Sequence, residues 1–436
     1  MAGERYVVLG LARPRAEWFR SVGRWATSAA LPAEFLKCLS VEELRARLGG
    51  GRACSAALLD GSLPAVDRDL VRAVREAGAV VLVVDDRAQR RDWLALGAAA
   101  VLPSTLTREA LLDALATHAT LVGVSVPVSP DAATPVDLDV VAGSSMVAAV
   151  CGPGGTGAST VAAALCQGLA DHPHRHGGVL LADLARDAEQ AMLHDVRDVV
   201  PGVQELVEAH RSGRPTRAQV EALTFHVVER GYHLLLGLRR ARYWSTLRPA
   251  AFEAAFDSLR RTFAVVVCDV TADFEGDDLG GSADIEERNL MARTAGGSAD
   301  VVFAVGRPGV KGLHALVRVL ADLSDLGVPP RRIVPVLNVA PRHPRGRAEL
   351  AATLSDLALP ALRGESTAAP VFLPSRRVEE ALRDAVRLPA PLAPLLAGAF
   401  RATVERAGPV GLRRSPEPVP VVPGSLGTWT AVDGAP

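Results

Sequence analysis

Lysine is nearly absent from this chain: of its 48 lysine and arginine residues, only Lys37 and Lys311 are lysines. The basic residues are balanced by 49 acidic ones, which gives a formal net charge of −1. This balance excludes the overall basic field that would attract nucleic acid or an acidic membrane surface.

Long apolar runs are also missing. No window reaches the length of a membrane-spanning helix, and the first residues hold no apolar segment of signal-peptide type. The sequence therefore predicts a cytoplasmic protein with no transmembrane segment. Any peripheral association with the membrane or a cell pole would be made through partners.

Cysteine is scarce and scattered, and the odd number of cysteines includes no C-x-x-C pair. The five residues are Cys38, Cys54, Cys151, Cys166 and Cys268. Several of them fall within apolar strand or helix patterns. The sequence thus predicts free, mostly buried thiols in a reducing compartment rather than disulfides or a zinc site.

The length and composition are those of a soluble globular protein with two or three domains: the 436 residues are 49% hydrophobic and 22% charged. Residues 1–122 alternate short apolar runs with amphipathic stretches, which predicts a compact βα domain with a parallel sheet. Residues 123–143 have the composition of a linker, and residues 406–436 that of a disordered Pro/Gly-rich tail.

Residues 144–405 form a second, larger βα series. Its strand candidates are nearly continuous apolar runs, which is typical of strands buried on both faces of a sheet. With right-handed crossovers, this pattern predicts a doubly wound, mostly parallel α/β sheet. The candidates are residues 146–151, 179–182, 232–238, 263–270, 300–305, 333–339 and 370–373.

The most informative segment is the glycine-rich stretch 151–160, which lies between the first of these strands and a predicted helix. Strand, glycine-rich turn and helix start are the context of a phosphate-binding P-loop. Its pattern G-x-x-x-x-G-K-S/T is met by Gly152, Gly157 and Ser159. Ala158 stands in the position of the lysine, so the loop keeps its main-chain geometry and lacks its main cation.

Acidic residues follow two of the predicted strands. Asp183 directly follows residues 179–182, and Asp269 comes at the end of the apolar run that begins at Phe263. The carboxyl ends of parallel strands converge on the ligand crevice. There, such an acid would bind magnesium directly or indirectly, together with the hydroxyl of Ser159 or Thr160. The alternative is that both acids cap neighbouring helices.

In the order of these motifs the chain resembles the MinD/ParA superfamily of deviant-Walker P-loop ATPases. Within it, the resemblance is to CpaE/TadZ pilus-localisation proteins and septum-site-determining proteins. The family's loop K-G-G-x-G-K-S/T aligns with residues 153–159, and the late segment 376–381 resembles the family's P-x-x-R-x-x-E-A. Asp183 matches the acid that ends the second strand, Asp269 the Walker B acid and Asn338 the adenine-contacting asparagine.

The resemblance implies specific roles for these positions. Asp183 and Asp269 would be the catalytic acids, and Ser159 and Asp269 would hold Mg²⁺. ATP or ADP would be bound by Gly152, Gly154, Gly155, Thr156, Gly157, Ala158, Ser159, Thr160 and Asn338.

Four departures from the family pattern weaken the predicted catalyst. Pro153 replaces the signature lysine that reaches a partner's phosphates, and Ala158 replaces the lysine that holds the β- and γ-phosphates. Ala185 stands where the family often has a second acid, and Asp273 adds a carboxylate beside the phosphate position. One cation can be worth roughly 10³–10⁵ in the rate of phosphoryl transfer, so we expect weak or absent hydrolysis with nucleotide binding retained.

Two arginines are candidates to replace the missing lysine, Arg186 and Arg307, because a guanidinium binds phosphate well. The sequence places neither of them at the loop. Whether the protein is an enzyme is therefore left open by the motifs.

The N-terminal region resembles an atypical receiver domain. Asp60 ends the apolar run 56–59, where a receiver carries its phospho-accepting aspartate. Residues 9–12 lack the acidic pair that would hold magnesium, and residues 102–104 lack the lysine. CpaE/TadZ proteins carry such a domain ahead of the ATPase-like one, and we expect it to serve protein contacts.

The resemblance implies a cytosolic homodimer that positions or regulates a pilus, secretion or cell-division machine and contacts that machine's proteins. Two alternatives stay open. One is an active ATPase that cycles between monomer and dimer, and the other is a signalling output protein governed by the receiver-like domain.

Overall fold

A computed structural model describes residues 5–85, 91–122, 145–171, 178–277 and 282–407. The predicted linker, residues 123–143, lies outside the described residues. So does the predicted tail, apart from its first two residues, which end a helix.

The N-terminal unit (residues 5–122) is a five-stranded parallel sheet with helices on both faces. Its strands are β1 (Tyr6–Leu11), β2 (Ala33–Cys38), β3 (Ala56–Asp60), β4 (Val80–Asp85) and β5 (Ala100–Pro103). Its helices are α1 (Glu17–Thr27), α2 (Val41–Gly49), α3 (Arg68–Glu76), α4 (Trp93–Leu96) and α5 (Arg108–His118). The strand order is β2-β1-β3-β4-β5, the flavodoxin-like order.

Local sequence explains most of these elements. The side chains of Ser40, Asp67 and Thr107 cap the first turns of α2, α3 and α5 by accepting a hydrogen bond from a main-chain N–H. β3 is buried along its whole length and lies between β1 and β4, which fits its unbroken apolar run. β2, which the sequence did not predict, is an edge strand with Glu34 and Lys37 on it.

The C-terminal unit (residues 145–407) is built on an eight-stranded sheet of order β13-β12-β11-β6-β10-β7-β9-β8. All neighbouring strands are parallel except β8 and β9. Its strands are β6 (Met146–Cys151), β7 (Val179–Leu184), β8 (Phe225–Val227), β9 (Tyr232–Leu235), β10 (Val265–Val270), β11 (Val301–Gly306), β12 (Ile333–Ala340) and β13 (Val371–Pro374).

Helices cover both faces of this sheet, which confirms the predicted doubly wound fold. They are α6 (Ala158–Ala170), α7 (Gln190–Leu193), α8 (Val203–Ser212), α9 (Arg217–Glu221), α10 (Pro249–Thr262), α11 (Ala283–Arg288), α12 (Leu290–Ser298), α13 (Val310–Asp325), α14 (Pro344–Ala361), α15 (Glu379–Arg383) and α16 (Leu392–Ala407). α6 and α16 pack on one face, whereas α8, α10, α12, α13 and α14 pack on the other. The seven predicted strands are present, and β8 adds an antiparallel edge.

The strand order determines where chemistry can occur. β6 lies between β11 and β10, and β7 is the next strand beyond β10. The loop that follows β6 is therefore flanked at the carboxyl edge of the sheet by the ends of its two neighbours. This edge is where open α/β sheets bind their ligands.

The cysteines are as the sequence predicts. All five are free; Cys54 is partly exposed and the other four are buried. No helix among the described residues is long and apolar enough to cross a membrane.

Helix α3 of the N-terminal unit contacts the ends of two helices of the C-terminal unit. The Asp69 carboxylate accepts hydrogen bonds from the main-chain N–H groups of Ala250 (2.8 Å) and Ala251 (3.2 Å), at the start of α10. The Arg68 guanidinium donates to the carbonyls of His210 (2.8 Å) and Gly213 (3.0 Å), at the end of α8. Each charge matches the sign that a helix end favours, so these contacts stabilise the junction between the two units.

Replacing Asp69 by alanine should lower the free energy of unfolding by about 1–2 kcal/mol, because two N–H groups at the start of α10 lose their acceptor. Urea denaturation would measure this loss, and hydrogen exchange at Ala250 and Ala251 would locate it. Asp69→Asn is an intermediate control, since its single amide oxygen can still accept one of the two hydrogen bonds. Equal stability and equal exchange in the two variants would show that the cap does not hold the units together.

Candidate functional site

The glycine-rich loop joins β6 to α6 in the form that a P-loop needs. Gly155 and Gly157 have φ values of +77° and +87°, which are strained for residues with a side chain. The Thr156 hydroxyl donates to the carbonyl of Pro153 (2.7 Å), and its N–H donates to the same oxygen (3.2 Å). Gly157 is the N-cap of α6, so the free N–H groups of the first helical turn face the loop.

Two glycines allow the loop to lie close to neighbouring strands. A Cβ on Gly152 would lie 2.4 Å from the carbonyl oxygen of Val305 in β11. A Cβ on Gly157 would lie 2.6 Å from Nδ2 of Asn338 in β12. Gly154, by contrast, has open space where its Cβ would be. The loop is thus a main-chain cradle held between strand ends, with its outer rim exposed.

The two predicted acids lie side by side behind this cradle. Asp183 and Asp269 are register partners on the adjacent strands β7 and β10, and both are buried. Asp269 hydrogen-bonds with the hydroxyl of Ser159 at the start of α6. The structure therefore brings together Ser159 and Asp269, the pair that the sequence predicts for Mg²⁺.

Burial changes the protonation of both acids. It raises the pKa of Asp269 to about 6, so this carboxylate is mostly ionised at neutral pH. Burial, followed by the negative charge of Asp269, raises the pKa of Asp183 well above its usual range. The negative charge of Asp269 thus adds to burial in disfavouring a second negative charge on Asp183.

Gln190 is a site residue that the sequence reasoning missed. Its Nε2 donates to Asp269 (2.7 Å) and to the carbonyl of Ser159 (3.0 Å), while its main-chain N–H donates to Asp183 (2.9 Å). Because both of these partners are acceptors, the side-chain amide must present its nitrogen to them. The amide oxygen, Oε1, is buried without a hydrogen-bond partner among the described residues. No motif marks Gln190; only its position seven residues after Asp183, opening α7, could have drawn attention to it.

Asn338 lies against the P-loop rather than apart from it. Its Nδ2 donates to the carbonyl of Thr156 (2.8 Å), and its Oδ1 accepts from the N–H of Val339 (2.9 Å). Val339 has a φ of +58°, at the point where the pairing of β12 with β13 shifts register. The structure thus brings Asn338 to the loop as a main-chain support, and its predicted contact with adenine stays a prediction.

The added acid, Asp273, is held by neighbouring side chains. Its carboxylate accepts from Asn289 (2.7 Å) and Arg288 (3.0 Å), and Arg186 lies 3.6 Å away. The main-chain N–H of Arg186 also donates to the hydroxyl of Thr271 (2.9 Å). Arg186 is therefore committed to Asp273, and the charge that the sequence analysis counted against phosphate binding is paired.

Arg307 is the candidate cation that the structure places at the loop. It directly follows β11, and its Nη1 lies 3.4 Å from the carbonyl oxygen of Gly155. Thr160 lies in the first turn of α6 and is partly buried.

In the N-terminal unit, Asp60 is the last residue of β3 and is buried. Its Oδ1 accepts from both the N–H (3.0 Å) and the hydroxyl (2.7 Å) of Ser62. Val84, the register partner of Asp60 on β4, is followed by Asp85. The carboxyl edge of this sheet thus places acids, not an acid and a cation, on two adjacent strands.

Solved structures similar to this chain are ParA- and MinD-type ATPases. The cell division ATPase MinD of Pyrococcus furiosus is 19% identical, covering 61% of this chain and 100% of that one with a TM-score of 0.43. A complex of Cyanothece McdA with ATP is 19% identical over 61% of this chain and 97% of that one, with a TM-score of 0.43. The MinC:MinD cell division protein complex of Aquifex aeolicus contains a chain that is 16% identical over 62% and 98%, with a TM-score of 0.41.

No protein-family model matches the chain, and no curated protein is significantly similar to it. At these TM-scores the structural likeness carries no argument about the chemistry of the site. The strand order, the P-loop and the paired acids carry that argument. The similar solved structures are ATPases of the ParA and MinD type, the superfamily that the order of motifs in this chain resembles.

Proposed function

We propose that this chain is a MinD/ParA-type P-loop protein that binds ATP or ADP and hydrolyses ATP weakly or not at all. One observation carries the proposal: the main-chain cradle is complete, with its glycines and helix N-terminus in place, although Ala158 replaces the lysine. Much of a P-loop's hold on phosphate comes from main-chain N–H groups, which do not depend on the side chain at residue 158.

The residues behind the cradle fit a bound magnesium ion. Ser159 and Asp269 would hold it, because a hydroxyl and an ionised carboxylate are oxygen ligands that Mg²⁺ prefers. The unpartnered Oε1 of Gln190 is a further buried oxygen beside them. When bound, magnesium would neutralise the charge of the phosphates. Gln190, through the hydrogen bond of its Nε2 to Asp269, would orient this carboxylate.

Hydrolysis needs charged side chains at loop positions where this chain has none. Phosphoryl transfer depends on positioning and on cations that stabilise the developing charge. Ala158 and Pro153 supply none, and Ala185 supplies no acid near the attacking water. We therefore infer that the nucleotide acts as a structural ligand or a slow switch.

Because its motifs resemble those of MinD/ParA and CpaE/TadZ proteins, we infer that the protein acts as a cytoplasmic homodimer that positions or regulates a pilus, secretion or cell-division machine. Two apolar side chains on helices that follow β7 and β11 are exposed: Met192 is 69% exposed and Val310 is 77% exposed. Such residues suit contact with a second copy or with partner proteins. The N-terminal unit would act as an atypical receiver that serves protein contacts.

Isothermal titration of the purified chain with ATP and with ADP, each with Mg²⁺, tests the nucleotide site. We expect saturable binding of about one nucleotide per chain, and gel filtration in each nucleotide state would report dimerisation. Asp269→Ala should weaken Mg²⁺-dependent binding, because the charged ligand is removed. Absence of binding to the wild-type chain would refute the proposed function.

Single-turnover measurements with labelled ATP separate the proposal from its main alternative. A rate typical of active ATPases, lost in Asp269→Ala, would identify a working enzyme that cycles between monomer and dimer. A mass increase at Asp60 after treatment with a phosphodonor would instead favour the signalling output protein. Neither result is expected.

A further inference from the structure

The proposed site has a shortage of positive charge. Phosphates carry several negative charges. At the two loop positions where the MinD/ParA superfamily has lysine, this chain has Pro153 and Ala158. Lys37 lies in the N-terminal unit, with its ammonium 5.5 Å from the centre of the Phe19 ring. Any cation that replaces these lysines would come from another element at the same edge of the sheet.

Arg186 is excluded by its contacts. Its guanidinium faces Asp273, which Arg288 and Asn289 also hold. Moving Arg186 to the loop would break this ion pair within a partly buried cluster. A side chain already paired with a carboxylate is a poor source of a free phosphate-binding charge.

Arg307 is in the right place because of the register of the sheet. β11 runs parallel to β6 with Ala304 opposite Cys151, the last residue of β6, so β11 extends two residues further, alongside the start of the loop. Arg307 is the first residue after β11, and its Nη1 reaches the carbonyl of Gly155 at 3.4 Å. A Cβ on Gly312 would lie 2.1 Å from the carbonyl oxygen of Arg307, so the start of α13 packs directly on its main chain.

The Arg307 side chain is free to change partner. It is exposed, and the described part of the chain offers it no acidic residue within ion-pair distance. Its bond to Gly155 is long and joins it to a neutral carbonyl. A guanidinium–phosphate contact is charge-assisted and can be bidentate, and is therefore stronger than this bond.

We propose that Arg307 supplies the phosphate-binding cation that Ala158 cannot, reaching the nucleotide from the strand beside the P-loop. This inference rests on the proposed nucleotide site. Beside the proposed site, the Oε1 of the buried Gln190 has no hydrogen-bond partner among the described residues, while its Nε2 donates to the Ser159 carbonyl.

Titration of ATP and Mg²⁺ into matched variants tests Arg307. Arg307→Ala should weaken binding about 10–100-fold, since hydrogen bonds to charged groups are worth roughly 1.5–3 kcal/mol. Arg307→Lys should recover part of that loss because it keeps the charge. Lys311→Ala, which removes a nearby exposed cation in the first turn of α13, should bind like wild type.

A rescue experiment addresses the missing lysine directly. Adding Ala158→Lys to Arg307→Ala should restore ATP binding to at least the wild-type level, because the new ammonium replaces the lost guanidinium. Thermal melts would show that each variant is folded. If wild type binds ATP and Arg307→Ala binds it equally well, the role of Arg307 is refuted and the proposed function survives. If wild type binds no nucleotide, the proposed function itself fails.

Discussion

Restoring both lysines, in the variant Pro153→Lys/Ala158→Lys, should raise the rate of ATP hydrolysis by about 10³-fold over wild type. The cradle, Ser159 and Asp269 are already in place, so the missing contribution is positive charge. A single cation placed on the transferring phosphate can be worth roughly 10³–10⁵ in rate, and we expect the low end because Ala185 still provides no acid.

Single-turnover assays with labelled ATP at saturating concentration measure this gain. Ala158→Lys alone should give a smaller gain, since the lysine that reaches across a dimer would still be missing. Adding Asp269→Ala to the double variant should abolish the gain, which ties the rate to this site. An unchanged rate in a double variant that binds ATP would show that charge is not what limits hydrolysis.

Replacing Gly152 by alanine should abolish nucleotide binding and lower the free energy of unfolding by about 2–3 kcal/mol. The new Cβ would lie 2.4 Å from the carbonyl oxygen of Val305 and 2.7 Å from the hydroxyl of Thr156. Either the loop or β11 must then move. Movement of the loop would spoil the alignment of its N–H groups and the turn between Thr156 and Pro153.

Gly154→Ala is the matched control within the same loop. Its Cβ would meet no atom within 4 Å, and Gly154 is not among the described glycines with positive φ. Alanine keeps the main-chain N–H that Gly154 would offer to phosphate, so this variant should change stability and binding very little. Denaturant unfolding and nucleotide titration of the two variants make the comparison. If both variants bind ATP equally, the close approach of the loop to β11 does not shape the site.

The local patterns of the sequence were enough to predict most of the fold. The apolar runs of β6, β7, β10 and β11 predict strands buried on both faces, and they lie together inside the larger sheet. Two of the four edge strands were missed, namely β2, which carries charged residues, and β8, which is only three residues long. Exposed edges need fewer apolar residues, so they leave a weaker signal.

The residues of the candidate site, too, were only partly predictable from the sequence. The P-loop and the two acids at strand ends are visible in the sequence because each follows an apolar run directly. Gln190 is not, since its role depends on the return of the chain after β7 to both Asp269 and Ser159. The junction formed by Asp69 at the start of α10 is equally invisible, because 181 positions separate Asp69 from Ala250.

By itself, the sequence determined that this chain forms parallel α/β sheets, that it carries a P-loop without lysine and that acids end the neighbouring strands. These follow from local periodicity and from the residue types that a tight turn requires. Only the tertiary structure decided that Arg186 is paired with Asp273 and that Arg307 lies at the loop. Strand order and register bring together residues that are distant in the chain, and no local pattern encodes that proximity.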